Sequence, residues 1–155
     1  MARKKSWREK LNDDKDLPKI VEIPEKMRKR YGEGTMVIPA PREVNEIMRQ
    51  VPKGKLITVN EIRQKLAAKH GTTIACPLTT GIFVWIAANA AEEAAREGAT
   101  DITPYWRTLK SGGFLNEKYP GSVERHRQLL ESEGFQIIPK GKKWMVADYQ
   151  KFLAE

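Results

Sequence analysis

Between Pro41 and Val51 the apolar residues Val44, Ile47, Met48 and Val51 fall at the i, i+3, i+4, i+7 spacing of one buried helix face, with Pro41 suited to the first turn. A second helix is predicted from Val59 to Lys69. Thr58 stands at its N-cap with Glu61 three residues on, Val59, Ile62 and Leu66 form its inner face, and Gly71 ends it. After the turn 72–76, Pro77 opens a longer, largely apolar helix that runs to about Arg96, ahead of Gly98. Two helices joined in this way read as a helix-turn-helix, the second being the candidate recognition helix. Farther along, Ser122 to Ser132 is predicted as a helix burying Val123, Leu129 and Leu130. The runs Phe135–Ile138 and Trp144–Val146 flank a turn signal and predict a wing-like β-hairpin, followed by a short helix from Ala147 to Leu153. The opening 31 residues carry hydrophobics enough to pin a short helix and extended pieces to a surface, but not to form a domain.

The chain therefore reads as mainly α with short β, divided into a basic N-terminal extension (1–35), a helix-turn-helix domain (36–138) and a hairpin completion with C-terminal helix (139–155). Its 155 residues, 40% hydrophobic, suffice for one core. No apolar run approaches membrane-spanning length and the N-terminus is too charged for a secretory signal, so no membrane partner and a cytoplasmic location are expected. The single cysteine, Cys76, excludes an internal disulfide framework; it reads as a buried packing residue, the alternative being a thiol activated at a helix N-terminus. His70 and His126 are isolated, with no spacing that suggests zinc, and surface or capping positions are expected for both. No metal or cofactor is implied.

Charge sharpens the picture. The formal net charge is +8, but residues 1–31 hold 11 basic and 6 acidic residues, whereas 32–138 hold 13 and 12. The excess is terminal, which suits either sequence-independent contact with a polyanion or simple solubility.

One constellation points to a known family. Pro104-Tyr105-Trp106-Arg107, then Ser111-Gly112-Gly113 and Glu131-Ser132-Glu133-Gly134, resembles the active-site region of the methylated-DNA-protein cysteine methyltransferases, where the run is Pro-Cys-His-Arg. Upstream, Val51-Pro52-Lys53-Gly54-Lys55 resembles that family's Ile-Pro-x-Gly-Lys turn, and Thr58-Val59-Asn60-Glu61-Ile62 its Thr-Tyr-Gly-Glu-Ile. The match runs in chain order from Pro39 to Phe135. It implies a winged helix-turn-helix-like alkyltransferase DNA-binding domain, on the alkyltransferase-like branch that lacks the acceptor cysteine.

What the resemblance implies for chemistry is mostly loss. Tyr105 replaces the thiolate and Trp106 the relay histidine, so no methyltransferase activity is expected. A phenol titrating near ~10 is anionic in only about one molecule per thousand at neutral pH, and an indole N–H is a donor only. Tyr105, Trp106, Arg107, Asn89 and Glu133 are the candidate pocket. Tyr105 and Trp106 either form an aromatic platform for a base or plug the vacated site. Glu133 either orients the Tyr105 hydroxyl or is a surface carboxylate, and Arg107 pairs with phosphate, with Glu133 or with a carbonyl. Candidate nucleic-acid contacts are Thr58, Asn60, Thr79, Thr80, Gly81, Lys110, Ser111, Gly112 and Gly113. Gly81 stands where the family carries its arginine finger and Val59 replaces its tyrosine, so two base-flipping aids are missing.

The expected function is a non-enzymatic, monomeric binder of double-stranded DNA that samples alkylated guanine, with repair proteins as further partners. The rival readings are an RNA- or ribosome-associated module and a protein-interaction module built on the apolar helix.

Overall fold

The computed structural model describes residues 5–154. The chain runs α1 (Trp7–Leu11), β1 (Lys19–Glu22), α2 (Glu25–Tyr31), β2 (Thr35–Ile38), α3 (Pro41–Arg49), β3 (Ile57–Thr58) and α4 (Val59–His70). It continues through β4 (Ile74–Ala75), α5 (Pro77–Arg96), β5 (Thr108–Leu109), α6 (Ser122–Ser132), β6 (Ile137–Lys140) and β7 (Lys143–Val146). Mainly α with short β is what the pattern predicted, and α3, α5 and α6 begin where their proline or glycine punctuation placed them. The predicted C-terminal helix is instead a 3-10 turn, Tyr149–Phe152. The segment after it runs alongside Leu56, whose amide and carbonyl bond to Phe152 and Ala154 at 2.8 Å each, and this extended pairing takes the place of helical bonding.

Two apolar centres organise the molecule. In the first, Val44 and Met48 of α3, Ile62 and Leu66 of α4, and Val84, Ala87, Ala88 and Ala91 of α5 meet Tyr105 and Tyr119. The alanine face of α5 keeps that helix close to its neighbours. In the second, Leu56, Leu109, Leu115, Leu130, Phe135, Ile137 and Val146 join α6 to the hairpin β6–β7. β3 pairs with β5 in parallel, Ile57 to Thr108 and Thr58 to Leu109, which fixes the segment 105–113 beside the start of α4. At the N-terminus of α4 the Thr58 amide donates to Glu61 Oε1 at 2.9 Å, so the predicted box is present on that side.

The N-terminal segment is tied in by strand pairing. β1 runs antiparallel to β2, which pairs in parallel with β4, and Ile23 is fully buried. The boundaries drawn at 35/36 and 138/139 fall inside β2 and β6. α1 lies on α5: the Trp7 and Arg8 amides donate to Glu93, the Arg8 guanidinium pairs with Glu93 and Glu97, and the Trp7 ring meets Trp85 edge-on at 4.8 Å. Among the described residues, no helix is long and apolar enough to cross a membrane.

Candidate nucleic-acid interface and the closed Tyr105 site

Tyr105 opens a short 3-10 turn, Tyr105–Arg107, directly before β5, and its side chain points into the first core with no exposed surface. Its ring meets Trp106 edge-on at 5.4 Å and Tyr119 at 5.2 Å, and its hydroxyl donates to Glu92 Oε1 at 2.6 Å. Burial, then the hydrogen bond and negative charge of Glu92, push the phenol well above its ordinary range. The Tyr105 hydroxyl is thus a neutral donor inside the core, with no nucleophilic anion at physiological pH.

Neither role left open for Glu133, orienting the Tyr105 hydroxyl or standing as a surface carboxylate, is the one observed. Glu133 takes Arg107 instead, with Nε at 2.9 Å and the second nitrogen at 2.7 Å on its two oxygens, while the remaining arm of Arg107 donates to the Val51 carbonyl at 2.8 Å. Arg107 is consequently a buried strut between α6 and the 51–55 turn and is withdrawn from phosphate. Burial would raise the Glu133 carboxyl; Arg107 overrides it and holds the group below its usual value. Asn89 spends its side-chain amide on the Trp85 carbonyl one turn back. The α5 residue that accepts the Tyr105 hydroxyl's hydrogen bond is Glu92, which the sequence reading missed. The only signal for it was its spacing four residues beyond Ala88 on the buried side of the helix.

His126 also differs from expectation. Placed among charged residues of α6, it is fully buried, because the loop from Trp106 to Asn116 wraps over it. A carbonyl can only accept, so the bond to Trp106 O at 2.8 Å makes Nε2 the protonated nitrogen, and Nδ1 accepts from the Asn116 amide at 3.1 Å. Burial pushes its pKa down to about 4, against the Trp106 carbonyl, which favours the charged form. Because the folded value lies below the ordinary 6.5, this contribution to stability is complete above pH 6.5 and is lost as pH falls toward 4. Unfolding in urea should therefore show about 2 kcal/mol lost between pH 7 and pH 5, a slope absent from His126→Gln; the same slope in the variant would refute the assignment. His70, in the last turn of α4, bonds Glu43 at 2.6 Å, as a helix-end position allows.

The candidate contact residues separate into two groups. Thr58 and Thr80 are 2% and 0% exposed and Gly113 is buried, so they are withdrawn from any strand, a correction to the sequence reading. Thr80 is turned inward by its own hydroxyl, which donates to the Cys76 carbonyl at 2.7 Å. Gly113, at φ 82°, lies under the Tyr149 ring, where a Cβ would come within 2.4 Å of it. Asn60, Ser111 and Gly112 are exposed, while Thr79, Gly81 and Lys110 are half-buried. Cys76, expected in the core, is half-buried at the N-cap of α5 with its sulfur 3.1 Å from the Thr79 hydroxyl.

A cleft of about 400 Å³ brings several of these together. Val59 and Gly81 line it with Leu78, Ile82 and Trp85 on the α5 side and with Lys110, Ser111 and Lys118 opposite. Leu78, Ile82 and Trp85 are 72%, 42% and 36% exposed, an apolar stripe along the outer face of α5. Lys110 is shared with Glu117 at 3.3 Å. Val59 and Gly81 thus face one concave surface, and their small side chains leave it open.

No protein-family model and no curated protein matches the chain. Among solved structures, S. pombe Atl1 in complex with damaged DNA containing O6-carboxymethylguanine is similar, with 18% identity, a TM-score of 0.49, and coverage of 74% of this chain and 94% of that one. S. pombe ATL in complex with DNA is similar at 18% identity and a TM-score of 0.47, with the same coverage.

Proposed function

We propose that this chain is a non-enzymatic nucleic-acid-binding protein that seats duplex DNA against the outer face of α5 and the turn 111–113. The observation that carries the reading is the cleft shared by Val59, Gly81 and Ser111 beside the exposed stripe Leu78, Ile82 and Trp85. Apolar side chains of this kind wedge against base steps from the minor groove, and small residues such as Gly81 let a helix approach the backbone closely. Lys118 borders the cleft and supplies the phosphate attraction, Lys110 being shared with Glu117. A base displaced from the stack would enter this cleft rather than the Tyr105 site, which its own ring fills. Alkylated guanine is the base that the sequence resemblance suggests. The wider lining, with no arginine finger and no tyrosine at 59, favours holding a base over driving it out of the helix.

The test is fluorescence anisotropy against duplex DNA with and without O6-alkylguanine, single strands and structured RNA, each across a salt series. Preference for the alkylated duplex supports base capture in the cleft. Equal affinity for both duplexes restricts the function to duplex binding, and stronger binding to RNA would overturn the DNA assignment.

A further inference from the structure

We infer that a second cleft, between α2 and α4, is a phosphodiester clamp formed by Arg30 and Arg63 around Tyr31, holding a nucleic-acid strand that continues past the α5 cleft. The inference rests on the duplex-binding reading and adds a site to it that neither the recognition helix nor the turn 111–113 provides.

Tyr31 ends α2, and its ring lies within cation–π distance of two guanidinium groups. Arg30 lies 5.3 Å from the ring centroid and Arg63, from α4, lies 5.5 Å from it. The ring's negative face attracts both cations and holds them near one another, although like charges repel. Arg63 is fixed a second time, its Nε donating to the Ala75 carbonyl at 3.1 Å, which leaves its terminal nitrogens available. The cleft, about 310 Å³, is completed by the amides of Asn60 and Gln64, one turn apart on α4, and by Thr73.

Charge accounting separates these arginines from most others. Arg8, Arg42, Arg49, Arg107 and Arg127 each have a carboxylate partner, whereas among the described residues neither Arg30 nor Arg63 does. Glu61, the acidic residue nearest Arg63 in α4, is turned back onto the Thr58 amide. α2 itself carries four cations against one carboxylate. Two planar donor forks lining one open cleft, with amides beside them, match the oxygens of a phosphodiester better than a point charge would. A continuous strand is the occupant because the two clefts share one helix end: Val59 lines the first and its neighbour Asn60 lines the second.

The experiment compares three full-length proteins on duplex DNA across a sodium chloride series: the wild type, Arg30→Gln/Arg63→Gln, and Arg96→Gln/Lys151→Gln, which removes equal charge at other exposed positions. Circular dichroism checks that each is folded. The clamp predicts that the slope of log affinity against log salt falls by about 2 in the Arg30/Arg63 variant, one per phosphate contact, and by less than half of that in the control. Equal slopes in the two variants would overturn the clamp while leaving the duplex-binding reading intact. A wild type with no salt-dependent affinity for DNA would overturn that reading and the clamp with it.

Discussion

Glu133→Ala should lower the unfolding free energy by about 3–5 kcal/mol, read as a shift of the urea midpoint at unchanged slope. The cause is the guanidinium left behind. The Arg107 and Glu133 side chains are 14% and 9% exposed, and the carboxylate accepts two of the guanidinium's bonds. Without it, a buried cation keeps only the Val51 carbonyl. Since breaking a buried pair costs more than replacing both partners, Arg107→Met/Glu133→Leu should recover most of the loss. A Glu133→Ala protein as stable as the wild type would mean that water already reaches the pair and that Arg107 is free to meet phosphate, as the sequence alone allowed.

Tyr105→Ala should cost about 3–5 kcal/mol, the range for emptying a buried aromatic site. Tyr105→Phe keeps the packing against Trp106 and Tyr119 and removes only the donor to Glu92, so about 1–3 kcal/mol is expected. Neither loss should be accompanied by a change in DNA affinity for Tyr105→Phe, because the ring has no exposed surface. Measured together, unfolding and anisotropy separate the two roles that the sequence left open. A platform for a bound base would show a small stability cost and a large loss of affinity, and a plug shows the reverse. The buried ring predicts the second pattern.

The contrast between these residues explains what could be read from the sequence. Helix limits were legible because their causes are local: Pro41 and Pro77 at first turns, Glu61 reaching back to Thr58, and Gly71 in the left-handed region after His70. The motif order placed Tyr105, Trp106, Arg107 and Glu133 in one region, and Arg107 and Glu133 do pair. The partner of the Tyr105 hydroxyl was not legible, since it depends on which turn of a 20-residue helix lies opposite a short 3-10 segment. The burial of His126 was hidden for a similar reason. Its neighbours Glu124, Arg125 and Arg127 describe a solvated helix face, and only the path of the loop through Asn116 covers the imidazole. The exposed stripe on α5 was not legible because apolar spacing gives a face without saying whether anything packs on it. α1 and its Trp7 reach Trp85, while Leu78 and Ile82 remain uncovered.

The α5 cleft carries the proposed DNA contact, and Gly81 is its most direct probe. A side chain there meets nothing within 4 Å of its Cβ, and glycine within a helix is already unfavourable, so substitution should leave the fold intact. Duplex affinity of Gly81→Glu and Gly81→Arg, measured by anisotropy at one salt concentration, is the measurement to make. A strand in the cleft predicts at least about a tenfold loss for glutamate, the equivalent of about 1.4 kcal/mol from one adverse charge, and a smaller loss for arginine, whose positive charge offsets its bulk. Two variants that bind duplex DNA as the wild type does would place the DNA elsewhere and contradict the account.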